Sequence, residues 1–389
     1  MSHYNTVFNE LLKLIPRHEF ENAVYRHNGD YRTRKMSCWN HFSTLLYAQI
    51  TGKDSLREIE AGLNAHCPKL YHLGMREVKR STLSDTNNKR PSGIYEMIFN
   101  KVLERVYRIT SKHRFKFSNP LFTLDATTID LCLEVFPWAK FRKRKGAIKM
   151  HTLFDHSGYF PSFIVVTDGK VHDSKIAKEL PSDALQADSI ILIDKAYIDF
   201  SWLYNLSLNK CYFVTRAKNN MDYAVIGQHN EPCKEKGLIA DKIIVPKGFY
   251  TSQKYPEKLR LVVYKDGETG KTYKFLTNNF ELSPFTIAKL YKERWQVELF
   301  YKWIKQNLKI KSFFGTTRNA VMSQIWAAMT YYLLLCYIKF QSRYSNTLLY
   351  LSRIIKETLM ERVSFIDLLK LKVGNIARIK NTIQLCLEF

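Results

Sequence analysis

The sequence predicts an α/β fold in which a mixed sheet is preceded and followed by helical regions. Three observations lead to this prediction. Apolar residues recur at helical spacing in the first third of the chain, strand-like apolar runs begin at Leu121, and long apolar helices return after Pro284. The chain has 389 residues, of which 46% are hydrophobic, so it can build two or three compact units with sizeable cores.

Residues 1–118 are predicted to be a helical N-terminal region. Apolar periodicity indicates one helix from Trp39 to Ile50, a turn at residues 52–55, and a second helix from Leu56 to Leu63. This pair is either a helix-turn-helix that reads DNA or a plain helical hairpin, which is the commoner arrangement, and no base-contacting pattern can be confirmed from the sequence. A further helix is predicted over residues 92–111.

Residues 119–217 are predicted to form the first part of the central α/β domain. A short strand from Leu121 to Leu124 ends at Asp125, and a hairpin joins residues 148–154 to residues 162–167. A continuous apolar strand then ends at Asp194. A helix near residues 200–208 and a strand at residues 212–215 complete an alternating pattern that is typical of a sheet containing parallel strands.

The rest of the chain is predicted to consist of three segments. Residues 218–280 are polar and turn-rich with strand-like pieces, which indicates a β-rich insertion. Residues 281–340 return to the core, with one long helix from Pro284 to about Lys309 and an apolar helix over residues 320–340. The latter is long enough to span a bilayer, but its polar and tyrosine side chains favour a buried core helix. Residues 341–389 form an amphipathic helical tail, which either joins two protomers or packs on its own core.

Charge composition points to a polyanionic partner. Lys and Arg number 60 against 36 Asp and Glu, for a formal net charge of +24. Lys143, Arg144 and Lys145 belong to a basic cluster at residues 140–149 that contains no acid, and a second cluster spans residues 101–116. Both are predicted to contact phosphates rather than only solubilise loops. The seven scattered cysteines show neither a disulfide framework nor zinc-ligand spacing, as expected in a reducing cytosol.

Three carboxylates are candidate metal ligands. Asp125 and Asp194 follow apolar strands, and the carboxyl ends of strands are where ligands gather in α/β sheets. Carboxylate oxygens suit Mg²⁺, although aspartate is also favoured in turns for purely local reasons. Glu298 is predicted to share one face of a long helix with Tyr291, Arg294 and Lys305. Such a stripe is either a solvated, ion-paired face or the wall of a cleft, and the apolar character of the helix favours the cleft.

These residues resemble a known family. The spacing Tyr291-(2)-Arg294-(3)-Glu298-(6)-Lys305 is similar to the Y-R-E-K signature of DDE insertion-sequence transposases of the IS-four group. Asp125 resembles their first catalytic aspartate, and Asp194 resembles the second. Two departures are Ala196, where glycine is usual, and the lack of a tryptophan in the insertion. That tryptophan stacks on a flipped base in relatives that form DNA hairpins, and Phe249, Tyr250 or Tyr255 are its candidate replacements here.

The resemblance implies a ribonuclease-H-like catalytic core, interrupted by the β-rich insertion and preceded by a small accessory helical domain. Asp125, Asp194 and Glu298 would hold two Mg²⁺ ions, with Mn²⁺ able to substitute, for in-line attack on a phosphodiester. Tyr291, Arg294 and Lys305 would hold the DNA backbone near the cut.

The implied function is cut-and-paste transposition by cleavage at transposon ends and strand transfer. The partners would be double-stranded DNA, as terminal inverted repeats and as target, and a second protomer on paired ends. No membrane is involved, and the expected location is the bacterial cytoplasm, on the nucleoid when DNA is bound. The alternatives are a ribonuclease-H-like nuclease without strand transfer and a non-catalytic DNA-binding protein derived from a transposase. The intact carboxylates argue against the last of these.

Overall fold

The structure is a computed structural model that describes residues 5–110, 113, 115–142, 145–181 and 184–369. The chain divides into two compact units. The first takes its described residues from the ranges 1–110, 134–138 and 303–389, and the second from 111–133 and 139–302. The five-part division in the sequence analysis follows the order of the chain and remains a prediction.

The first unit is helical. Its elements are α1 (Val7–Lys13), α2 (Arg17–Arg26), α3 (Cys38–Thr51), α4 (Leu56–Asn64), α5 (Cys67–Leu70), α6 (Arg80–Lys89), α7 (Gly93–Ile109), α13 (Arg318–Ser342), α14 (Leu348–Thr358) and α15 (Phe365–Leu368). The predicted α3 and α4 are confirmed, and each begins at a serine, Ser37 or Ser55, whose hydroxyl accepts a backbone N–H of the first turn. Because α3 is buried on every side up to Ile50, it is a core helix. DNA reading by this pair remains a prediction.

Helix α13 is the centre of the first unit. Among the described residues it is the one helix that is long and apolar enough to cross a membrane, yet 94% of its most apolar stretch is buried within the protein. It packs against α7 and α3, with the ring centroids of Phe99 and Trp326 at 5.2 Å. The prediction of a buried core helix is therefore confirmed.

The second unit is built on a large mixed sheet. Its strands are β1 (Leu121–Leu131), β2 (Lys140–Arg142), β3 (Lys145–Asp155), β4 (Phe160–Asp168), β5 (Ile190–Ile193), β6 (Tyr212–Arg216), β7 (Tyr223–Asn230), β8 (Leu238–Pro246), β9 (Leu259–Lys265) and β10 (Thr272–Thr277). Its helices are α8 (Asp173–Lys178), α9 (Phe200–Leu208), α10 (Phe249–Lys254) and α11 (Pro284–Glu293), while α12 (Trp295–Asn307) begins in this unit and ends in the first.

The strand order is β2-β3-β1-β5-β6-β10-β9-β8-β7, and β4 also pairs with β3, outside this order. Strands β1, β5 and β6 run parallel to one another, and the other pairs are antiparallel. The mixed α/β fold and its ribonuclease-H-like core are thus as the sequence predicted. Because β10 pairs with β6, the strands of the insertion extend the sheet of the core.

Two apolar layers hold the sheet in place. On one side Leu124 and Ile193 belong to a buried cluster with Leu203 of α9. On the other side Leu192 belongs to a cluster with Ile287 of α11. The parallel strands β1 and β5 are covered on both faces, which explains why β5 reads as an unbroken apolar run.

Three details of the sequence prediction are wrong. Strand β1 does not end at Asp125 but continues to Leu131, because its second half pairs with β3. The helix predicted from Pro284 to Lys309 is two helices, since α11 ends at Glu293 and α12 begins at Trp295. Strand β7 was not predicted, since it is an edge strand whose side chains are exposed or half-buried and leave no buried periodicity.

Candidate functional site

Asp125 and Asp194 lie side by side in the sheet. The parallel pairing of β1 with β5 ends at the pair Leu124 and Ile193. Asp125 is the next residue of β1, and Asp194 directly follows the last residue of β5. Strands β1 and β5 therefore each place a carboxylate at the carboxyl end of the parallel pair, where ligands bind in open sheets. Asp125 is held further by Tyr301, whose hydroxyl donates to its backbone carbonyl at 2.8 Å.

The two aspartates are anchored in the same manner. In each, Oδ1 accepts a backbone N–H, from Ala126 at 2.8 Å and from Ala196 at 3.1 Å. In each, Oδ2 accepts from an arginine: Arg294 Nη1 lies 2.6 Å from Asp125, and Arg216 Nη2 lies 3.3 Å from Asp194. Each carboxylate is thus fixed at both oxygens, in a defined orientation.

Ala196 fits the turn that follows β5. It lies in the 3₁₀ turn Lys195–Tyr197, and it is absent from the non-glycine residues with positive φ. A glycine is required for conformation only where φ is positive, so alanine serves here without strain. The departure from the family pattern at this position leaves the Asp194 side chain anchored.

Arg216 is a site residue that sequence reasoning missed. It is the last residue of β6, the third parallel strand, and so it ends at the same edge as the two aspartates. Its guanidinium carbon lies 5.7 Å from the ring centroid of Tyr291. The rule that singled out Asp125 and Asp194, a polar residue at the end of an apolar strand, would also have found Arg216.

The break between α11 and α12 occurs at Arg294. The N–H of Arg294 donates to Tyr291 O, and the N–H of Val297 donates to Arg294 O, both at 3.3 Å. These are i to i−3 bonds, so a tight 3₁₀-like turn replaces the expected continuous helix and its single stripe. Arg294 still reaches both predicted neighbours, because its Nη1 lies 3.9 Å from Glu298 Oε1 and its guanidinium carbon lies 5.8 Å from the Tyr291 ring.

The lysines and arginines that are predicted to contact DNA lie in different parts of the chain. Lys305 lies on α12, seven residues beyond Glu298. Lys145 is exposed at the start of β3, paired in register with Arg142 of β2. Lys143 and Arg144 lie outside the described residues.

The second predicted basic cluster is partly engaged within the first unit. Lys101 pairs with Glu104 at 3.0 Å, and Arg105 donates to the carbonyl of Leu14 at 2.9 Å. These two side chains therefore have protein partners already, whereas the exposed Arg108 is available at the end of the same helix. In the cluster at residues 140–149, Lys149 is likewise paired, with Asp173 at 2.7 Å. Phosphate contacts by either cluster remain a prediction.

Asp125 is in an electrostatically strained position. Burial raises the pKa of its carboxyl to about 6; Arg294 and the N–H of Ala126 oppose this shift, and the negative charges of Glu298 and Asp194 add to it. The pKa of Asp125 thus responds to both other predicted carboxylates. Carboxylates that share a site raise one another's pKa, and a cation placed among them relieves the repulsion.

The donor set fits a hard divalent cation in its chemistry. Three carboxylates come from a strand, a strand end and a helix, and their side chains are 13%, 25% and 42% exposed for Asp125, Asp194 and Glu298. Within the described part of the chain, however, no three His, Cys, Asp or Glu side chains are arranged to hold a metal. Guanidinium groups contact the aspartate oxygens instead. Convergence of the three carboxylates on one metal position therefore remains a prediction.

Two of the three candidate stacking residues are exposed. Phe249 and Tyr250 are 70% and 74% exposed at the start of α10, with ring centroids 5.3 Å apart. Tyr255 is fully buried, and its hydroxyl lies 2.8 Å from Ser207 Oγ. Tyr255 therefore cannot stack on a base, and this candidate was wrong.

Comparison with known proteins identifies two matching families. Residues 116–334 match the family described as transposase DDE domain, which covers more than half of the chain. Residues 3–76 match a domain of unknown function, DUF4372.

Three relatives carry transposase names. A transposase named y4zB from Sinorhizobium fredii is 32% identical over 282 residues, which are 72% of this chain and 77% of the relative. A Geobacillus stearothermophilus protein named for insertion sequence element IS5377 is 28% identical over 348 residues, 88% of this chain and 87% of the relative. A Synechocystis protein named for insertion sequence element IS4SA is 24% identical over 308 residues, which are 78% of this chain and 84% of the relative.

Proposed function

The chain belongs to the DDE transposase family, and from this premise we propose that it carries out cut-and-paste transposition of an insertion sequence. It would cleave double-stranded DNA at the terminal inverted repeats of its element and join the freed ends to target DNA. The observation that supports this most directly is that Asp125 and Asp194 directly follow the last paired residues of the parallel strands β1 and β5, while Arg294 contacts both Asp125 and Glu298.

Asp125, Asp194 and Glu298 are the proposed metal ligands and catalytic residues. Mg²⁺ bound there would supply activation of the attacking hydroxyl and stabilisation of the leaving 3′ oxygen, and Mn²⁺ is expected to substitute. The protein's own contribution is orientation. Backbone N–H groups of Ala126 and Ala196 fix one oxygen of each aspartate, and the hydroxyl of Tyr301 fixes the β1 backbone at Asp125.

The DNA backbone is proposed to lie along Tyr291, Arg294 and Lys305, with Lys143, Arg144 and Lys145 contacting phosphates further along. Arg can bind a phosphate through two parallel N–H groups, while Lys acts as a point charge. A net charge of +24 supports a long electrostatic footprint. We propose further that the protein acts on DNA of the bacterial nucleoid, as a homodimer on paired ends.

The test is a cleavage assay with full-length protein, Mg²⁺ and a labelled duplex that carries the element's own end. The variants D125N, D194N and E298Q should each lower the cleavage rate by about a thousandfold and leave end binding within about threefold, because binding relies on phosphate contacts elsewhere. D130N is the matched control, since Asp130 is an exposed aspartate on the same strand as Asp125.

Near-normal cleavage by any one of the three variants would remove that residue from the site. A denaturing gel also separates the reaction types. Products joined to target DNA support transposition, whereas cleavage without any joined product would indicate a nuclease without strand transfer.

A further inference from the structure

Two arginines pair with Asp125 and Asp194 in an equivalent way. Arg294 donates to Oδ2 of Asp125 at 2.6 Å, and Arg216 donates to Oδ2 of Asp194 at 3.3 Å. The remaining oxygen of each aspartate is occupied by a backbone N–H. Each arginine therefore covers the one aspartate oxygen that the main chain leaves over.

Both arginines lie close to the ring of Tyr291. The guanidinium carbons of Arg216 and Arg294 lie 5.7 and 5.8 Å from the centroid of its ring, within the range of a cation–π contact. The two arginines come from different elements, the end of β6 and the turn before α12. In both, the Nε–H is buried and has no hydrogen-bond partner among the described residues. Each guanidinium thus has an Nε–H donor that makes no hydrogen bond within the described residues.

A guanidinium and a metal ion compete for the same oxygen. Both are cations, and a lone pair that accepts an N–H at 2.6–3.3 Å cannot at the same time face a divalent cation at the roughly 2.0–2.1 Å that Mg²⁺ requires. Cations so close together also repel one another strongly in a partly buried site. Because each carboxylate oxygen has a second lone pair, a metal ion that binds there either displaces the arginines or binds beside them with lower affinity.

We infer that Arg216 is a positioning residue which, together with Arg294, holds the aspartates in the DNA-free protein and keeps its metal affinity low. Because a displaced guanidinium regains a partner when DNA supplies an anion, metal binding and DNA binding are positively coupled. By thermodynamic linkage, DNA then raises the affinity for metal by the same factor as metal raises the affinity for DNA. This inference rests on the proposed function, in which the aspartates are metal ligands.

The experiment measures Mn²⁺ binding to the full-length, DNA-free protein by electron paramagnetic resonance of the free ion. R216Q should bind Mn²⁺ about three- to fivefold more tightly than the unmodified protein, the range expected when a partly exposed ion pair is removed. R216K keeps the charge and should stay within about twofold. K195Q is the matched control, because it removes one exposed positive charge beside Asp194 without removing an ion pair that the described residues form.

A second measurement tests the coupling. Addition of an uncleavable duplex end should increase the Mn²⁺ affinity of the unmodified protein by a larger factor than that of R216Q. Thermal unfolding of each variant confirms that it is folded, and R216M takes the place of R216Q if the glutamine variant does not fold. An Mn²⁺ affinity in R216Q that is unchanged, weaker or matched by K195Q overturns the inference.

Failure of the proposed function gives a different result. If D125N and D194N leave Mn²⁺ binding unchanged, the aspartates are not metal ligands, and the assignment of the site is wrong. If those variants lose Mn²⁺ while R216Q behaves like the unmodified protein, the site stands and only the role of Arg216 is refuted.

Discussion

A single carboxyl group, that of Asp125, shows how position in the fold sets chemistry. It is 13% exposed and paired with Arg294, yet burial outweighs that pairing and raises its pKa to about 6. The same residue in an unfolded chain would titrate near 3.8. The folded metal-free protein therefore holds a proton on Asp125 at a pH where the unfolded chain does not.

This difference predicts a pH-dependent stability with a definite sign. A raised pKa means that the folded state binds the proton more tightly, so the contribution of Asp125 to stability increases as pH falls through about 6 towards 3.8. Between pH 7 and pH 5 in chelator, the unmodified protein should gain about 1 kcal/mol relative to D125N, which has no carboxyl to titrate. Thermal unfolding of both proteins at the two pH values measures this. A loss of stability relative to D125N over this range would show that Arg294 lowers the pKa of Asp125 by more than burial raises it.

The residues of the site were predictable to different degrees. Asp125 and Asp194 follow apolar runs, so strand periodicity located them even though β1 continues beyond Asp125. Arg216 satisfies the same strand-end rule, but an arginine at a strand end is also typical of an ordinary solvated residue, and the rule does not distinguish the two. The role of Arg216 depends on the parallel pairing of β6 with β5, which periodicity alone does not reveal.

At the scale of elements, the insertion is secured by a fully buried ion pair. Arg260 of β9 donates from Nε and Nη2 to both oxygens of Asp241 of β8, at 2.9 and 2.8 Å, and neither side chain is exposed. Arg260 Nη1 also donates to the carbonyls of Asn279 and Leu282, just before α11. One side chain thus connects the insertion to the chain segment that leads into the helix bearing Tyr291.

Removal of one partner of this pair should be costly. R260Q leaves the Asp241 carboxylate buried without its counter-ion and should lower the free energy of unfolding by about 3–5 kcal/mol. The double variant R260M/D241L removes both charges and should lose less than R260Q alone. Urea unfolding of the full-length protein compares them. A loss below about 1 kcal/mol for R260Q would mean that water or a neighbouring group replaces the arginine.

Element boundaries show where sequence reasoning stops. The helices α3, α9 and α13 have a clear apolar pattern and were predicted to within a few residues. The 3₁₀-like turn at Arg294 has no glycine or proline to announce it, so the pattern of residues 284–309 looks like one helix. The turn is stabilised by contacts made elsewhere, among them the ion pair of Arg294 with Asp125, and tertiary contacts of this kind are invisible in a single sequence.

At the scale of the whole molecule, the charge of +24 predicts salt-dependent DNA binding. If about six to ten phosphates are neutralised, affinity for an end duplex should fall about 10³–10⁵-fold between 50 and 200 mM salt, through counterion release. Fluorescence anisotropy across a salt series gives the slope. Replacing Lys143, Arg144 and Lys145 by glutamine removes three possible phosphate contacts. The slope of log affinity against log salt concentration should therefore become less steep by about 2.7. If the DNA affinity of the unmodified protein did not change with salt concentration, the positive charge would not serve DNA binding.

The C-terminal tail divides into two parts with different expected roles. Leu351 and Ile355 of α14 are fully buried, and Tyr331 of α13 lies 3.0 Å from Ser352 through their hydroxyls. Helix α14 also packs against α3, so this part of the tail belongs to its own unit. Any contribution of the tail to a dimer is therefore expected from residues 370–389, which lie outside the described residues.

Two truncations test this division. A chain that ends after Lys339 should fail to fold stably, because α14 is lost from its packing on α13 and α3. A chain that ends after Leu369 should fold, bind a single DNA end and cleave it, but lose paired-end complexes on a native gel. Paired-end complexes that survive the shorter deletion would place the dimer contacts elsewhere, with the N-terminal helices as the next region to examine.

The order in which the chain is synthesised gives the buried helix α13 a further significance. By length and composition alone, a nascent segment of 25 residues with a mean hydropathy of 1.4 over its apolar stretch is apolar enough to cross a membrane. Its packing partners α3 and α7 are translated more than two hundred residues earlier. When α13 leaves the ribosome, the surfaces that bury it already exist, and it can dock at once instead of remaining available to the insertion machinery. A circular permutant that begins at α13 would lose this protection while keeping the packing of α13 against α3 and α7.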